Sequence, residues 1–139
     1  MKPSHQPFGS MLTAMITPMT PAGTQDLDGA QRLATYLVDE LGHDGLVING
    51  TTGESATKTD EEDRELVRVV IEAVGDRAVV IAGVGTNDTA HSISSARTAQ
   101  LVGADAVMAV APYYNRPPQE GLLAHFRAIA DATDLPLMT

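Results

Sequence analysis

Three short stretches hold the residues whose types and spacing could do chemistry. Gly50-Thr51-Thr52-Gly53-Glu54-Ser55 offers two glycines that let the backbone turn tightly and two hydroxyls beside free amide donors, a combination that can cradle a carboxylate. The same composition also suits an ordinary turn whose Thr and Ser only satisfy backbone groups. Ala111-Pro112-Tyr113-Tyr114-Asn115-Arg116-Pro117-Pro118 sets two adjacent phenols among prolines in a chain with three tyrosines and no tryptophan. A phenol can relay protons or stack at an interface, and Arg116 can pair with a carboxylate or with a neighbouring loop. A rigid loop packed on neighbouring helices, or an oligomer contact without chemistry, is the other reading. The third stretch, Gly83-Val84-Gly85-Thr86-Asn87, invites a dinucleotide site, but the full Gly-x-Gly-x-x-Gly fingerprint wants glycine where Asp88 stands, and that charge opposes a pyrophosphate. It reads as a tight turn followed by a helix cap.

Other reactive side chains carry weaker signals. His5, His43, His91 and His125 are too far apart in sequence to form a local metal pair, and read as surface or capping histidines. The run Asp60-Glu61-Glu62-Asp63 falls at a helix start, where it complements the macrodipole as a solvated terminus. The lysines are Lys2 and Lys58, neither placed near a strand end suited to an imine. The methionines fall mostly at strand positions and read as core filler.

Residues that act together must be held by elements, and those elements are visible. Met11 to Thr17, Gly45 to Asn49, Ala78 to Val84, Ala106 to Val110 and Leu135 to Thr139 have the apolar, non-alternating composition of strands buried on both faces. Between them the apolar spacing becomes helical: Leu33, Leu37 and Leu41; Leu66, Val70 and Val74; Ile93, Ala96, Ala99 and Val102; Leu122, Phe126 and Ile129. Thr59 with Glu62 forms a capping box, Asn87 or Asp88 caps the third helix, and Gly42, Gly75 and Gly103 stand where helices stop. Alternating strands and helices build a parallel α/β sheet, either doubly wound or part of a (β/α)8 barrel, with the functional loops at the carboxyl ends of the strands. Five strands do not decide between the two; a full barrel needs at least ~200 residues, and this chain could supply only about half of one.

The composition sets limits on partners. Hydrophobic residues make up 43% and charged residues 19% of the chain, enough for one core and one domain. A net charge of −9 and a pI near 4.6 repel phosphate backbones and anionic lipids, which argues against nucleic-acid and membrane-surface roles. Without cysteine there is no disulfide framework or thiolate chemistry. No export or anchor signal is evident, and a cytoplasmic setting is expected.

The stretches Gly50-Thr51-Thr52-Gly53-Glu54-Ser55, Ala82-Gly83-Val84-Gly85-Thr86-Asn87 and Pro112-Tyr113-Tyr114-Asn115-Arg116-Pro117, in this order and spacing, closely resemble the dihydrodipicolinate synthase (4-hydroxy-tetrahydrodipicolinate synthase) family. The likeness runs from Ala14-Met15-Ile16-Thr17-Pro18 to Asp134-Leu135-Pro136. Related pyruvate-dependent aldolases, such as N-acetylneuraminate lyase, share the Gly-rich turn but usually have Ser-Thr in place of Thr51-Thr52.

The resemblance implies a (β/α)8 barrel of which residues 1–139 form the amino-terminal part, four βα units and the start of a fifth strand. It implies a cytoplasmic lyase of diaminopimelate and lysine biosynthesis: a lysine on the sixth strand forms a Schiff base with pyruvate, and the enamine attacks aspartate 4-semialdehyde. No cofactor and no metal are expected. By position, Thr51 and Thr52 bind the pyruvate carboxylate, Thr51 also relays protons, and Tyr114 completes the relay in a neighbouring subunit of a homodimer or homotetramer. In lysine-inhibited members the effector contacts map to Ser55, Ala56, Asn87 and Tyr113, with Asp60 and Asp63 where histidines are common and His91 in place of a glutamate. The Schiff-base lysine is absent here, and the family's central catalytic tyrosine would fall one position past Thr139. The 139 residues alone are therefore expected to be inactive. Two alternatives are another pyruvate-dependent aldolase, N-acetylneuraminate lyase-like, and a non-catalytic half-barrel that self-associates through its exposed first and fifth strands.

Overall fold

A computed structural model describes residues 8–139. Five strands, β1 (Leu12–Ala14), β2 (Gly45–Ile48), β3 (Val79–Gly83), β4 (Ala106–Met108) and β5 (Leu137–Met138), form one sheet in the order β1-β2-β3-β4-β5. All four pairings are parallel, with Thr13 opposite Leu46, Val47 opposite Ile81, Ala82 opposite Val107 and Met108 opposite Met138. The crossovers carry α1 (Leu27–Thr35), α2 (Asp60–Val74), α3 (Thr89–Val102) and α4 (Gln119–Ala130). Each helix packs against the next, α1 on α2, α2 on α3 and α3 on α4. The strand order never reverses, so the sheet has no switch point of the kind a doubly wound fold requires.

The two faces of the sheet are buried by different means. Leu46, Ile48, Val80, Ala82 and Val107 join Leu66, Val70, Val74, Ala96, Ala99 and Ile129 from the helices in the main core. Val47, Val79, Ile81 and Ala106 form a second cluster on the opposite face, with Leu12, Met108 and Met138 packed against it. A face that buries branched side chains without a helix over it is the inward face of a curved sheet, as in barrels.

Local chemistry sets the element ends. Thr59 accepts from the Glu62 amide while the Glu62 carboxylate accepts from the Thr59 amide, completing the capping box. Asp88 caps α3 by accepting from the Ala90 and His91 amides, and Gly103 ends that helix in the left-handed region at φ 92°. The strands are shorter than the apolar runs suggest. Composition reports burial, whereas a strand also needs a hydrogen-bonding neighbour, and Ile16, Met11 and Met19 lie exposed instead of filling the core; Met15 alone of that group is fully buried. Leu41 is also exposed. A π-helical turn over Tyr36–Glu40 follows α1, and the extra residue per turn rotates Leu41 off the stripe that keeps Leu37 inside. Among the described residues no helix is long and apolar enough to cross a membrane.

His125 departs from the surface role expected of it, and His5 lies outside the described residues. The His125 side chain is buried on α4, its Nδ1 paired with Thr89 Oγ1 at 2.8 Å, its Nε2 without a partner and its ring edge-on to Phe126. Burial disfavours the imidazolium and lowers its pKa. The unfolded imidazole takes up its proton below about pH 6.5 while the folded one resists. Stability contributed by neutral His125 is therefore intact above that pH and falls as the solution is acidified toward the folded pKa. Urea midpoints measured between about pH 7.5 and about pH 5.5 should decline, and His125→Gln should flatten that decline; an equal slope in the variant would show that other groups carry it.

Candidate active site

The loops singled out by their residue types all follow carboxyl ends of strands, so one rim of the sheet collects them. At the end of β2, Asn49 is buried and holds φ 59°. Gly50 then leads into a 3-10 turn over Thr51–Gly53, Glu54 adopts φ 58°, and a second 3-10 turn covers Ser55–Thr57. Two non-glycine residues in the left-handed region need outside support. Asn49 finds it by donating from Nδ2 to the Asp63 carbonyl at 2.8 Å. Gly53 is buried against the segment after β1: an added Cβ would lie 3.2 Å from the Met15 carbonyl oxygen, and its own carbonyl accepts from Thr17 Oγ1 at 2.6 Å. The loop is thus pinned at its middle while Thr51 and Thr52 stand exposed at its tip. Among the described residues neither Thr hydroxyl takes part in a hydrogen bond. Two free hydroxyls on a rigid turn suit an external anion better than an internal structural role.

The Gly83-Val84-Gly85 turn serves close packing. A Cβ at Gly83 would meet the Asn49 carbonyl oxygen at 2.1 Å and one at Gly85 the Val110 amide nitrogen at 2.4 Å. These glycines let three adjacent strand ends approach one another, and Thr86 and Ser92 tie the turn to α3. The Tyr loop is fixed to this turn by Asn115, whose Nδ2 donates to the Asn87 carbonyl at 3.2 Å. Tyr114 holds φ 72° and Arg116 φ 42°. Tyr113 is about half exposed, and Tyr114 is 97% exposed. A strained backbone that presents a phenol entirely to solvent argues against packing on the chain's own helices.

Ser55, Ala56, Asn87, His91 and Tyr113 line one open cleft of about 160 Å³, together with Lys58, Asp60 and Asp63. His91 Nε2 pairs with Asp60 Oδ1 at 2.8 Å across its mouth. A second cavity of about 290 Å³ joins Thr51 to Ser55, Gly85, Met108 and Tyr113. The tip of the Thr loop and the base of the Tyr loop therefore border the same space.

Two expectations fail here. Asp63 is not part of a solvated helix terminus: its carboxylate lies 2.9 Å from Lys58 Nζ, and burial raises its pKa although the ammonium pulls it down. Lys58 does reach strand ends, since its ammonium sits at Asn49 and Thr17 with its side chain only 3% exposed. Lys58, Asn49 and Thr17 were missed as site residues. The one available signal was a lone internal lysine directly before a capping box, beside a strand that ends in asparagine. Among the described residues no group of three or more His, Asp or Glu is placed to hold a metal ion.

Comparison with known proteins agrees with this geometry. The chain is 66% identical over 132 residues to 4-hydroxy-tetrahydrodipicolinate synthase 2 of Streptomyces coelicolor, covering 95% of this chain and 44% of that one. Among solved structures, dihydrodipicolinate synthase from Bacillus anthracis superposes with a TM-score of 0.90 at 49% identity, covering 94% of this chain and 44% of that chain. The enzyme of Cyanidioschyzon merolae with lysine bound gives 0.91 at 46%, covering 94% and 45%. An N-acetylneuraminate lyase from Mycoplasma synoviae is more distant in sequence, 29% identical with a TM-score of 0.87, covering 94% and 45%. The chain spans about half the length of the curated relatives it matches, and its five strands and four helices are one half of a (β/α)8 barrel. The family model for the dihydrodipicolinate synthetase family matches residues 7–139, and with sequence, barrel order and rim loops in agreement, the chain belongs to that family.

Proposed function

We propose that residues 1–139 are the amino-terminal part of one (β/α)8 domain that condenses pyruvate with aspartate 4-semialdehyde, acting in the cytoplasm as a homodimer or homotetramer. The observation that carries this is the Thr51-Thr52 tip, two unpartnered hydroxyls held on a pinned turn at the carboxyl end of β2, on the same rim as Tyr114. In this reading the two threonines hold the pyruvate carboxylate, and a lysine outside this chain forms the imine. The enamine carbon then bonds to the aldehyde carbon, whose oxygen takes up the proton that Thr51 and Tyr114 pass along. Ser55, Ala56, Asn87, His91 and Tyr113 form an adjoining regulatory cleft that shares Ser55 and Tyr113 with the Thr51 cavity. The greater identity to the synthases than to N-acetylneuraminate lyase supports aspartate 4-semialdehyde as the acceptor.

The test joins this chain to the carboxyl-terminal half of the Streptomyces coelicolor relative, giving a complete barrel. Borohydride reduction with pyruvate should add one pyruvyl group to that barrel, on a lysine outside residues 1–139, and aspartate 4-semialdehyde should be consumed with pyruvate. The 139-residue chain alone should gain none. A pyruvyl adduct on Lys2, Lys58 or the amino terminus would overturn the assignment of the imine to the other half. A joined barrel that folds and binds pyruvate without condensing it, beside a 139-residue chain that forms a stable dimer, would favour the self-associating half-barrel, whose β1 and β5 each have one unpaired edge.

A further inference from the structure

Lys58 ends the loop that begins at Asn49, and its side chain runs back beneath that loop. Nζ donates to Asn49 Oδ1 at 2.6 Å and to Thr17 Oγ1 at 3.3 Å, and forms an ion pair with Asp63 Oδ1 at 2.9 Å. An ammonium has three donor hydrogens, and three oxygens surround this one. Its side chain is only 3% exposed, and its contacts to Asn49, Thr17 and Asp63 turn the ammonium toward the polar groups beneath the loop. Such a group is retained in a protein interior only where its partners are fixed around it.

Those partners are the parts that set the loop. Thr17 Oγ1 donates a hydrogen bond to the Gly53 carbonyl at 2.6 Å, and Asn49 Nδ2 donates one to the Asp63 carbonyl at 2.8 Å. A continuous set of polar contacts therefore joins the segment after β1, the end of β2, the first turn of α2 and the middle of the loop. The two left-handed residues, Asn49 and Glu54, bracket Thr51 and Thr52. We infer that Lys58 is a positioning residue that fixes the Thr51–Thr52 tip for its anionic ligand by holding Asn49 and Thr17. The inference rests on the pyruvate-binding role proposed for those threonines. Without the ammonium, Asn49 can relax toward an ordinary backbone angle and the Thr17 hydroxyl is free to turn away from Gly53.

The test uses the joined barrel, made free of cysteine; this chain contains none. Lys58→Met keeps the unbranched stem as far as Cε and removes the ammonium. Pyruvate KM should rise about tenfold while kcat stays within about threefold, the signature of lost ligand positioning without lost chemistry. Amide exchange at Gly53 and Glu54 should speed up by at least about tenfold, with the sheet amides unchanged. Lys58→Cys alkylated with 2-bromoethylamine before refolding puts an ammonium back at the same reach and should restore KM. If Lys58→Met does not fold, Thr17→Val leaves the ammonium with Asn49 and Asp63, removes the hydroxyl that links Lys58 to the Gly53 carbonyl, and should raise KM in the same way. Unchanged KM and unchanged exchange in the folded variants would overturn the inference, as would failure of the alkylated cysteine to restore either. If the parent barrel does not turn over pyruvate, the functional reading fails, and the exchange rates at Gly53 and Glu54 still decide whether Lys58 fixes the loop.

Discussion

Mixing Thr51→Val subunits with Tyr114→Phe subunits of the joined barrel is expected to restore about one quarter of wild-type turnover, because half of randomly assembled two-fold pairs are mixed and each mixed pair has one intact site. Each variant alone should lose roughly 10²- to 10⁴-fold in kcat, the usual worth of a positioned proton donor or acceptor. The reasoning starts from Tyr114, which is 97% exposed on a loop held at φ 72° by its neighbours and by Asn115. Tyr113 borders the space beside Thr51 of its own chain, whereas the Tyr114 phenol faces solvent. It can enter the rim of a second copy across a two-fold axis. In a mixed pair, one site then carries both substitutions and is dead, while the other combines native Thr51 with native Tyr114. If Tyr114 served its own subunit, every site in the mixture would keep one lesion and nothing would be recovered. The measurement is turnover after the two variants are unfolded together and refolded. Absence of recovery, with both variants folded and impaired, would refute the shared site, and so would a Tyr114→Phe enzyme of undiminished kcat.

What could be seen in the sequence follows from how far apart interacting residues lie along the chain. The Gly50–Ser55 and Tyr113–Arg116 loops are contiguous, so their chemistry is legible without a structure. The helices announce themselves because a stripe such as Leu66, Val70 and Val74 repeats within one segment, and all three are fully buried. Strand ends are less legible, because Ile16 and Met11 are as apolar as Met15 and only the fold shows that Met15 is buried while the other two are exposed. Leu41 was lost to a π-turn that no residue type marks. Lys58 was hidden more deeply: Thr17 lies 41 positions away and Asn49 nine, and the segment offers no periodicity by which to find them. His125 reads like a polar residue on the outer face of α4 until Thr89 is folded against it.

The cleft between α2 and α3 carries the second large expected effect, that lysine should inhibit only weakly. A bound lysine needs a carboxylate for its side-chain ammonium and donors for its own carboxylate. The resemblance implies that His91 stands where lysine-inhibited members carry a glutamate. The carboxylates that remain are already engaged, Asp60 with His91 at 2.8 Å and Asp63 with the Lys58 ammonium at 2.9 Å. Lys58 also adds positive charge behind the cleft, which opposes a cationic ligand. Losing one charge-assisted hydrogen bond costs roughly 1.5–3 kcal/mol, or about ten- to a hundredfold in affinity. Ser55, Ala56, Asn87 and Tyr113 still line the space, so those contacts remain and some binding should survive at high concentration. Lysine titrated against the joined barrel is therefore expected to give half-inhibition only in the millimolar range or above. His91→Glu places a second carboxylate beside Asp60, a pair that repels when empty and gains most from an ammonium between them, and should tighten inhibition by about tenfold. Sub-millimolar inhibition of the parent barrel would show that Asp60 can leave His91 for the ligand at little cost, and an unchanged titration in His91→Glu would show that the ammonium is bound elsewhere.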